Sequence, residues 1–532
     1  MQYNYSAAGQ NAFPDTGFFL PVIDWGGIRA YTVFRKASRY VSVFGVIKMI
    51  TLILRIFLYA LLLLAVLLAV AVARTLLLKG KSTSFELSDD ENRIDLYSRK
   101  LSEMVRVETV SHRGMPEPDK FRAFHKTLEE LFPKVFETME KTDIDGNLLM
   151  KWKGSDDSLD PIILTSHLDV VPAEGEWKYP PFSGTIAEGK IWGRGSADIK
   201  CGVMAFYQAC EELIAEGYVP RCDVYLGSSC TEEIGGDGAP KIAGWFKQRG
   251  IRLFMLCDEG GALVEDPVGG VNGNFAAVGI FEKGYGDLRF IARSKGGHSS
   301  TPPRGTPIPK LAAFIDHVEK HDPFRVEFSP AVNSMFENLA PYCSSFPLKM
   351  VMHNLWLFRP VLKKVMPAIS TEAAAMLKTT IAFTMQKGSD GYNVLPQEAW
   401  VTANLRYIPH QGTEESNELI SKIAERYGLE TETVTAGNPS SSLDLDGEAY
   451  TLTCKAIKNV FPGVGIMPYV VTGGTDSRFY DGVCDSCVRF SPVNYGPEQM
   501  EAMHAINENV VAACLPPAVD YYKEIIRLQQ ER

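Results

Sequence analysis

The sequence lacks the short motifs of two large enzyme classes. It contains no G-x-S-x-G segment typical of serine hydrolases and no P-loop typical of nucleotide-binding proteins.

Closely spaced cysteines are also scarce. Of ten cysteines, only Cys484 and Cys487 are separated by two residues, and no second pair accompanies them. A structural zinc site needs that second pair, so we interpret these two cysteines as loop residues or as a disulfide.

Positive charge is sparse outside the N-terminal segment. The 532 residues carry a net charge of −10, and six basic but only two acidic residues lie among the first 55. The remaining chain therefore carries a net charge of −14, which argues against a nucleic-acid partner for the main body. The length exceeds that of one ordinary hydrophobic core, so we expect two domains with additional segments.

One long hydrophobic run lies near the N-terminus. Residues 56–73 are uncharged and almost wholly apolar, a length that suits one transmembrane helix. We predict a disordered tail over residues 1–40 and a membrane anchor over residues 41–78. The alternative is a cleaved signal peptide ending at Ala71-Val-Ala73. It is disfavoured because 55 residues precede the apolar core, far more than a signal peptide carries there.

Basic residues are denser before this run than after it. The positive-inside rule therefore predicts a single-pass membrane protein with a cytoplasmic N-terminus and an extracytoplasmic body. Only Asn4 begins an N-x-S/T sequon. Because it lies on the predicted cytoplasmic side, glycosylation gives no evidence about the compartment.

Strand and helix patterns alternate along the first half of the body. Short apolar runs typical of buried strands are followed by turns and by helical patterns. This order predicts a parallel-type α/β layer. We assign residues 84–283 to the first part of this main domain. Residues 284–407, where the pattern changes to alternating strands, form a predicted inserted domain, and residues 408–532 complete the main domain.

Polar residues recur at the ends of the predicted strands. The apolar strand Ile162–Leu164 leads into His167 and Asp169, whose side chains point the same way on a period-two backbone. In an open α/β sheet, ligands bind at the carboxyl ends of the strands. The ordered set of such residues comprises His167, Asp169, Asp198, Glu232, Glu233, Asp258 and His504.

This set has the composition of a binuclear metal site. Two imidazoles and three carboxylates can hold two zinc ions if one carboxylate bridges them, and anionic ligands offset the repulsion between the ions. Of the adjacent pair Glu232 and Glu233, one can bind metal while the other accepts a proton from water. Taken singly, each acid is better explained as a helix N-cap or first-turn charge. The ordered set of seven residues is not explained in this way.

These segments resemble the dizinc exopeptidases and amidases that include carboxypeptidase S, aminoacylase and the N-fatty-acyl-amino-acid hydrolases. The resemblance covers about residues 90–525 in the order of the family. The matching segments are SHLDVVP (166–172), GRGSAD (193–198), TEE (231–233), DEGG (258–261), GHSS (297–300), NVLP (393–396), GTDSR (474–478) and HAINE (504–508). The segment WLFRP (356–360) and the long insert resemble the branch of carboxypeptidase S and the N-acyl-amino-acid hydrolases.

The resemblance implies a zinc-exopeptidase-like catalytic domain with a mixed sheet and an inserted α+β lid of the dimerisation type, preceded here by one transmembrane helix. It implies two Zn²⁺ per subunit, and Co²⁺ or Mn²⁺ would fit similar ligands. One ion would be held by His167, Asp198 and Asp258. The other would be held by Asp198, Glu233 and His504, so that Asp198 bridges the two ions.

The resemblance also assigns roles to residues around the ions. Asp169 would orient His167, as carboxylates often do for metal-binding imidazoles. Glu232 would be the general base. His298 would help to stabilise the oxyanion, in some relatives from the partner subunit of a homodimer formed through the lid.

Three further positions match residues that hold the substrate's carbonyl or its carboxylate, namely Asn393, Arg406 and Arg478. An arginine suits the carboxylate because its planar fork can bind both oxygens. The implied activity is hydrolysis of an amide bond next to a free amino-acid carboxylate, in N-acyl amino acids or at the C-terminus of short peptides. Synthesis of the same bond is the reverse of this reaction and stays conceivable.

Two alternatives to this activity remain at the level of sequence. The enzyme could be a dipeptidase or carboxypeptidase that acts strictly on peptides, because the acyl side of the substrate is left open. The chain could instead be a non-catalytic, membrane-tethered binding protein on the same fold. A hydrolase fold that has lost its activity normally lacks a metal ligand or the general base. Neither is missing from this set.

Overall fold

A long helix begins the described part of the chain. The computed structural model describes the backbone over residues 29–532 and the side chains over residues 46–532. Helix α1 (Arg29–Leu77) contains Val46–Leu77, which is long and apolar enough to be a membrane span or a signal sequence. The predicted tail over residues 1–40 falls mostly outside the described residues. From Arg29 the backbone is helical, and no proline or glycine interrupts residues 29–44.

The first part of the body alternates helices and strands, as the sequence predicts. Its elements are α2 (Glu91–Arg106), α3 (Pro118–Leu131), α4 (Pro133–Thr138), β1 (Glu140–Ile144), β2 (Asn147–Trp152), β3 (Ile162–Thr165), β4 (Thr185–Ala187), β5 (Lys190–Trp192), α5 (Cys201–Ala215), β6 (Val224–Ser228), α6 (Gly238–Gln248), β7 (Met255–Asp258), β8 (Leu263–Glu265) and β9 (Asn274–Glu282).

The middle of the body is built mainly from helices between long strands. These elements are β10 (Gly284–Arg293), β11 (Gly297–His298), α7 (Pro307–Lys320), α8 (Pro330–Leu339), α9 (Phe346–His353), α10 (Leu355–Ile369), α11 (Thr371–Leu377), β12 (Thr380–Lys387), β13 (Val394–Leu395), β14 (Glu398–Tyr407), α12 (Thr413–Arg426) and β15 (Glu430–Ala436). The chain ends with α13 (Glu448–Val460), β16 (Gly465–Val471), β17 (Cys487–Arg489), β18 (Asn494–Tyr495), α14 (Pro497–Ala502), β19 (Asn509–Val511) and α15 (Leu515–Leu528).

A mixed sheet forms the core of the body. Within the described residues it has ten strands, in the order β1-β2-β6-β3-β7-β17-β9-β8-β18, with β16 also paired to β9. The central strands β6, β3, β7 and β17 are parallel, and β1 and β2 are added antiparallel at one edge. Strand β3 is buried throughout, because α5 and α15 cover one face of the sheet and α6 covers the other.

A smaller antiparallel sheet has its own hydrophobic core. Its order is β12-β14-β10-β15, and α7 and α12 supply apolar side chains to that core. Strand β15 pairs with β10 although it lies beyond residue 407. Helices α8 and α9 instead contribute to the core of the large sheet. The second core therefore differs from the predicted insert at residues 284–407. Strand β15 extends that core beyond residue 407, and α8 and α9, which lie within the predicted insert, pack against the large sheet.

The cysteines behave as small apolar residues. All ten lie within the described residues, all are free, and nine of them are buried. Cys484 lies in the turn before β17 and Cys487 is the first residue of that strand. Of the two interpretations of this pair, the structure agrees with loop and strand-end residues and contains no disulfide there.

Candidate active site

The loop after β3 places His167 in a first group of potential metal ligands. The Nε2 atom of His167 lies 3.2 Å from Oδ1 of Asp198 and 3.4 Å from Oε1 of Glu259. Asp198 comes from the turn before α5, and Glu259 directly follows β7. The ligand atoms of these three residues lie within 4.8 Å of one another, which is close enough for one cation to contact all three.

A second group shares Asp198 with the first. The Nε2 atom of His504 lies 3.0 Å from Oδ2 of Asp198 and 3.1 Å from Oε2 of Glu233. His504 has a left-handed backbone, with φ of 58°, which is strained for a residue with a Cβ atom. Each oxygen of Asp198 therefore faces a different imidazole, as expected for a carboxylate that bridges two ions.

The structure differs from the sequence prediction at one ligand. Asp258 is the last residue of β7, and its buried carboxylate accepts a hydrogen bond from the backbone N–H of Ser477 at 2.8 Å. The neighbouring Glu259 lies beside His167 instead. Successive side chains of a strand point to opposite sides, so when two acids are adjacent only one of them can face the imidazole. In the structure Glu259, and not Asp258, lies beside His167.

Asp169 contacts His167 through its main chain rather than through its carboxylate. The Nδ1 atom of His167 lies 2.8 Å from the carbonyl oxygen of Asp169 and 3.6 Å from its Oδ1 atom. The carboxylate accepts hydrogen bonds from the backbone N–H groups of Glu232 and Glu233 at 3.0 and 3.1 Å, and from the hydroxyl of Ser111 at 2.6 Å. Asp169 therefore orients the imidazole and also holds the turn that carries both glutamates.

Glu232 lies in surroundings that favour proton transfer. Burial raises the pKa of its carboxyl well above the ordinary value, and the negative charges of Asp476 and Glu233 raise it further, while His167 opposes the shift. Asp476 is itself buried and accepts a hydrogen bond from Ser229. A carboxylate whose proton affinity is increased in this way is suited to act as a general base and then as a general acid.

The two groups fit divalent metal ions. Burial raises the pKa of Glu259 well above its ordinary value, whereas hydrogen bonds to Asp198 and Glu233 raise the pKa of His504 to about 10. Closely spaced acids with such shifts repel one another, and a bound cation relieves that repulsion. The Oε1 atom of Glu233 is buried and has no hydrogen-bond partner among the described residues. A mixture of nitrogen and oxygen donors of this kind is typical of zinc sites.

Glu508 positions the bridging carboxylate, a role that the sequence does not reveal. Its Oε1 atom accepts hydrogen bonds from the backbone N–H groups of Ala197 and Asp198 at 2.9 and 3.0 Å. Its Oε2 atom pairs with Arg194 at 2.5 Å, and both side chains are buried. Arg194 in turn donates to the carbonyl oxygen of Ala505 at 3.0 Å. The pair therefore joins the turn that carries Asp198 to the loop that carries His504.

We expect Glu508→Gln to destabilise the protein by about 3–5 kcal/mol, because it leaves the buried guanidinium of Arg194 without a counter-charge. Urea unfolding of the detergent-solubilised full chain measures this loss. Glu498→Gln is the matched control, since Glu498 pairs with Lys190 on the surface, and such pairs are worth about 0–1 kcal/mol. Equal losses in the two variants would contradict the role given to Glu508.

A cavity of about 660 Å³ adjoins the turn that carries the glutamates. Ile234 and Gly235, which directly follow Glu233, line it. Its charged lining consists of the basic side chains of Arg113, Lys283 and Arg478 and the acidic side chains of Asp287 and Asp481. The guanidinium of Arg406 lies 4.8 Å from the ring centre of Tyr285. Burial lowers the pKa of Arg406, and the positive charge of Arg478 lowers it further. Of the predicted substrate residues, Arg478 lines this cavity, and Arg406 stacks on Tyr285, which also lines it.

A second cavity, of about 350 Å³, opens beside the first metal group. Asp198 and Glu259 contribute its polar edge. The rest of its wall is mostly apolar and includes Ala262, Val264, Pro267, Met467, Tyr469, Met500 and Met503. The candidate metal ligands therefore adjoin both a cavity with a charged lining and a mostly apolar cavity.

His298 and Asn393 lie together, away from both ligand groups. Strand β11, which contains His298, pairs with β13, and the N–H group of Ser299 donates to the carbonyl oxygen of Asn393 at 3.1 Å. The imidazole of His298 is exposed, and its Nδ1 atom lies 2.8 Å from the hydroxyl of Ser300. Neither residue belongs to the two groups of potential ligands found among the described residues.

The central strands of this α/β fold carry two linked groups of imidazoles and carboxylates. This combination of fold and site identifies the class of protein as a metallohydrolase. The chain belongs to the peptidase family M20/M25/M40, whose model matches residues 163–528. It is 32% identical over 479 residues to the N-fatty-acyl-amino acid synthase/hydrolase PM20D1 of Xenopus tropicalis, covering 87% of this chain and 93% of that protein.

Two further proteins are less similar to this chain in sequence. Carboxypeptidase S of Saccharomyces cerevisiae is 28% identical over 487 residues, which cover 81% of this chain and 84% of the yeast protein. The crystal structure of an M20 family metallo-carboxypeptidase, Sso-CP2 from Sulfolobus solfataricus, superposes with a TM-score of 0.61 at 17% identity. It covers 82% of this chain and 99% of that one. This superposition confirms the M20 fold with its mixed sheet.

Proposed function

We propose that the protein is a dizinc hydrolase that cleaves the amide bond of N-acyl amino acids. The observation that supports this most is that the candidate metal ligands adjoin two cavities, one lined by three basic and two acidic side chains and one that is mostly apolar. An N-acyl amino acid has a carboxylate at one end, an apolar acyl group at the other and the amide between them. Arg406 and Arg478 suit the carboxylate, since a guanidinium binds it bidentately.

In this proposal His167, Asp198 and Glu259 hold one zinc ion, and Asp198, Glu233 and His504 hold the other. Bound zinc would lower the pKa of a water molecule and polarise the scissile carbonyl group. Glu232 takes the proton of the attacking water and later returns it to the leaving amine. Asp169 keeps the Glu232 turn in place through its two backbone hydrogen bonds.

His298 remains the proposed donor to the oxyanion, together with Asn393. Their exposed position at the separate two-stranded sheet of β11 and β13 leaves them available to a substrate, or to the site of a partner subunit in a homodimer, as the resemblance implies. A non-catalytic binding protein is the weaker candidate, because potential ligands and a base with a raised pKa are all present.

Hydrolysis of an N-oleoyl amino acid and of a blocked dipeptide by the same purified protein tests the substrate class, with metal content measured on the same sample. We expect faster turnover of the N-oleoyl substrate and loss of activity after chelation. Preference for the dipeptide would instead identify a carboxypeptidase or dipeptidase. Bound metal without turnover of either substrate would favour a binding protein.

We expect Met500→Asp to lower kcat/KM for long-chain substrates by about tenfold or more, since the loss of a methionine-sized apolar contact costs about 1.5–3 kcal/mol. Activity towards an N-acetyl amino acid should stay unchanged, because its acyl group does not reach the cavity wall. Met385→Asp is the control, since Met385 is also exposed but lies on the smaller sheet. A parallel loss on both substrates would argue against an acyl-chain cavity.

We further propose that α1 anchors the protein as a single transmembrane helix, with the N-terminus in the cytoplasm and the body outside it. The length and composition of Val46–Leu77 support a span, and the excess of basic residues before it supports this orientation. Protease accessibility of the body in sealed vesicles tests the orientation.

A further inference from the structure

The end of the apolar helix is fixed to helices of the body. The buried side chain of Asn354, which precedes α10, donates hydrogen bonds to the carbonyl oxygen of Ala71 at 3.3 Å and to the hydroxyl of Thr75 at 3.1 Å. Lys349 on α9 donates to the carbonyl oxygen of Leu78 at 3.1 Å. Ala71 and Thr75 are themselves buried. The last two turns of α1 therefore have a defined contact with the start of α10.

These contacts lie at one end of the uncharged run. The 18 residues between Arg55 and Arg74 would span about 27 Å as a helix, close to the ~30 Å of a bilayer's hydrocarbon core. Arginine is costly inside that core and is favoured at its edge. If this run crosses the bilayer, Arg74 lies at the edge of the hydrocarbon core on the side that faces the body. Asn354 contacts residues on both sides of Arg74, so α10 begins at that level.

Helix α10 carries an apolar face that nothing in the described residues covers. Trp356, Val361, Val365 and Ile369 have relative exposures of 44, 60, 42 and 75%. The last three are four residues apart and so share one side of the helix. Leu355, Leu362 and Met366 pack against the core instead.

The charges of α10 are divided between its two sides. Arg359 donates to Asn333 at 2.9 Å, and Lys363 pairs with Glu327 at 2.5 Å, so both reach towards the body. Lys364 is exposed beside Val365. An exposed apolar side flanked by a lysine is the pattern of a helix that lies in a membrane interface, where the ammonium meets lipid phosphate.

We infer that α10 lies on the membrane surface, with Val361, Val365 and Ile369 inserted at the boundary between headgroups and acyl chains. The partner is the phospholipid bilayer that α1 crosses. The body is then held against the membrane at two points, the end of α1 and the length of α10. This inference rests on the proposed transmembrane anchor and is independent of the substrate.

Photo-crosslinking of the full chain in phosphatidylcholine nanodiscs tests the inference. The lipid carries a diazirine on its acyl chain, and labelled peptides are mapped by mass spectrometry. We expect labelling in residues 56–73 and in residues 356–369. Labelling of 56–73 alone would overturn the membrane position of α10 and leave the anchor standing. Absence of label from both would overturn the anchor and this inference together.

The triple variant Val361→Ser, Val365→Ser, Ile369→Ser gives the matched comparison. We expect labelling of residues 356–369 to fall by more than about tenfold, because three apolar side chains no longer favour the acyl region. Labelling of 56–73 and hydrolysis of a short soluble substrate should not change. Val219→Ser with Val434→Ser is the control, since both valines are exposed elsewhere on the body. An unchanged α10 label in the triple variant would contradict the proposed contact.

Discussion

Glu232→Gln is expected to lower amide hydrolysis by about 10²–10⁴-fold, the usual contribution of a general acid–base group, while both metal ions stay bound. The amide cannot accept a proton from water. It nevertheless preserves the shape of the side chain and the backbone N–H group that donates to Asp169. Turnover of an N-acyl amino acid and metal content of the same sample are the two measurements.

The neighbouring glutamate supplies the control for this experiment. Glu233 has one oxygen 3.1 Å from Nε2 of His504, so Glu233→Gln should lose metal together with activity. The two variants differ by one position in the same turn and remove the same charge. Full activity of Glu232→Gln with both ions bound would rule out its role as the base, and loss of metal from Glu232→Gln would exchange the roles of the two residues.

The second large effect concerns the adjacent acids at the end of β7. We expect Glu259→Gln to remove one metal ion and to lower activity by more than about 100-fold, the upper range for groups that only support a ligand. Its Oε1 atom lies beside His167, so the substitution weakens the first group directly. Metal analysis after gel filtration measures the stoichiometry.

Asp258→Asn should in contrast keep both ions. Its carboxylate accepts the N–H group of Ser477, and an amide oxygen can accept the same hydrogen bond. Burial and the charge of Asp476 raise the pKa of Asp258 to about 7, so a neutral side chain at this position changes little near neutral pH. Loss of an ion from Asp258→Asn but not from Glu259→Gln would restore the assignment made from the sequence.

Much of the candidate site can be predicted from local sequence pattern. Strand β3 is short and apolar, and its end delivers His167 to the sheet edge, as periodicity predicts. The structure also brings together Asp198, Glu233 and His504, which are far apart in the sequence but each follow or precede a regular element. Their order along the chain is enough to suggest a shared edge of the sheet.

Other features depend on contacts that no local pattern contains. Periodicity ends with the strand, so it cannot decide which of Asp258 and Glu259 turns towards His167. Glu508 belongs to a segment that resembles the family, but the sequence does not reveal that it is fully buried beside Arg194. The limits of the smaller sheet were also not predictable, because β15 joins it only through pairing with β10. In each case long-range packing decides the outcome.

The dual contact of Asp169 couples two functions that could otherwise vary separately. Its carbonyl oxygen fixes His167, and its carboxylate fixes the backbone of Glu232 and Glu233. Any displacement of this one residue therefore shifts a metal ligand and the base in concert, which preserves their spacing. Attempts to redesign the enzyme by moving the base alone would have to replace Asp169 and its partner Ser111 together.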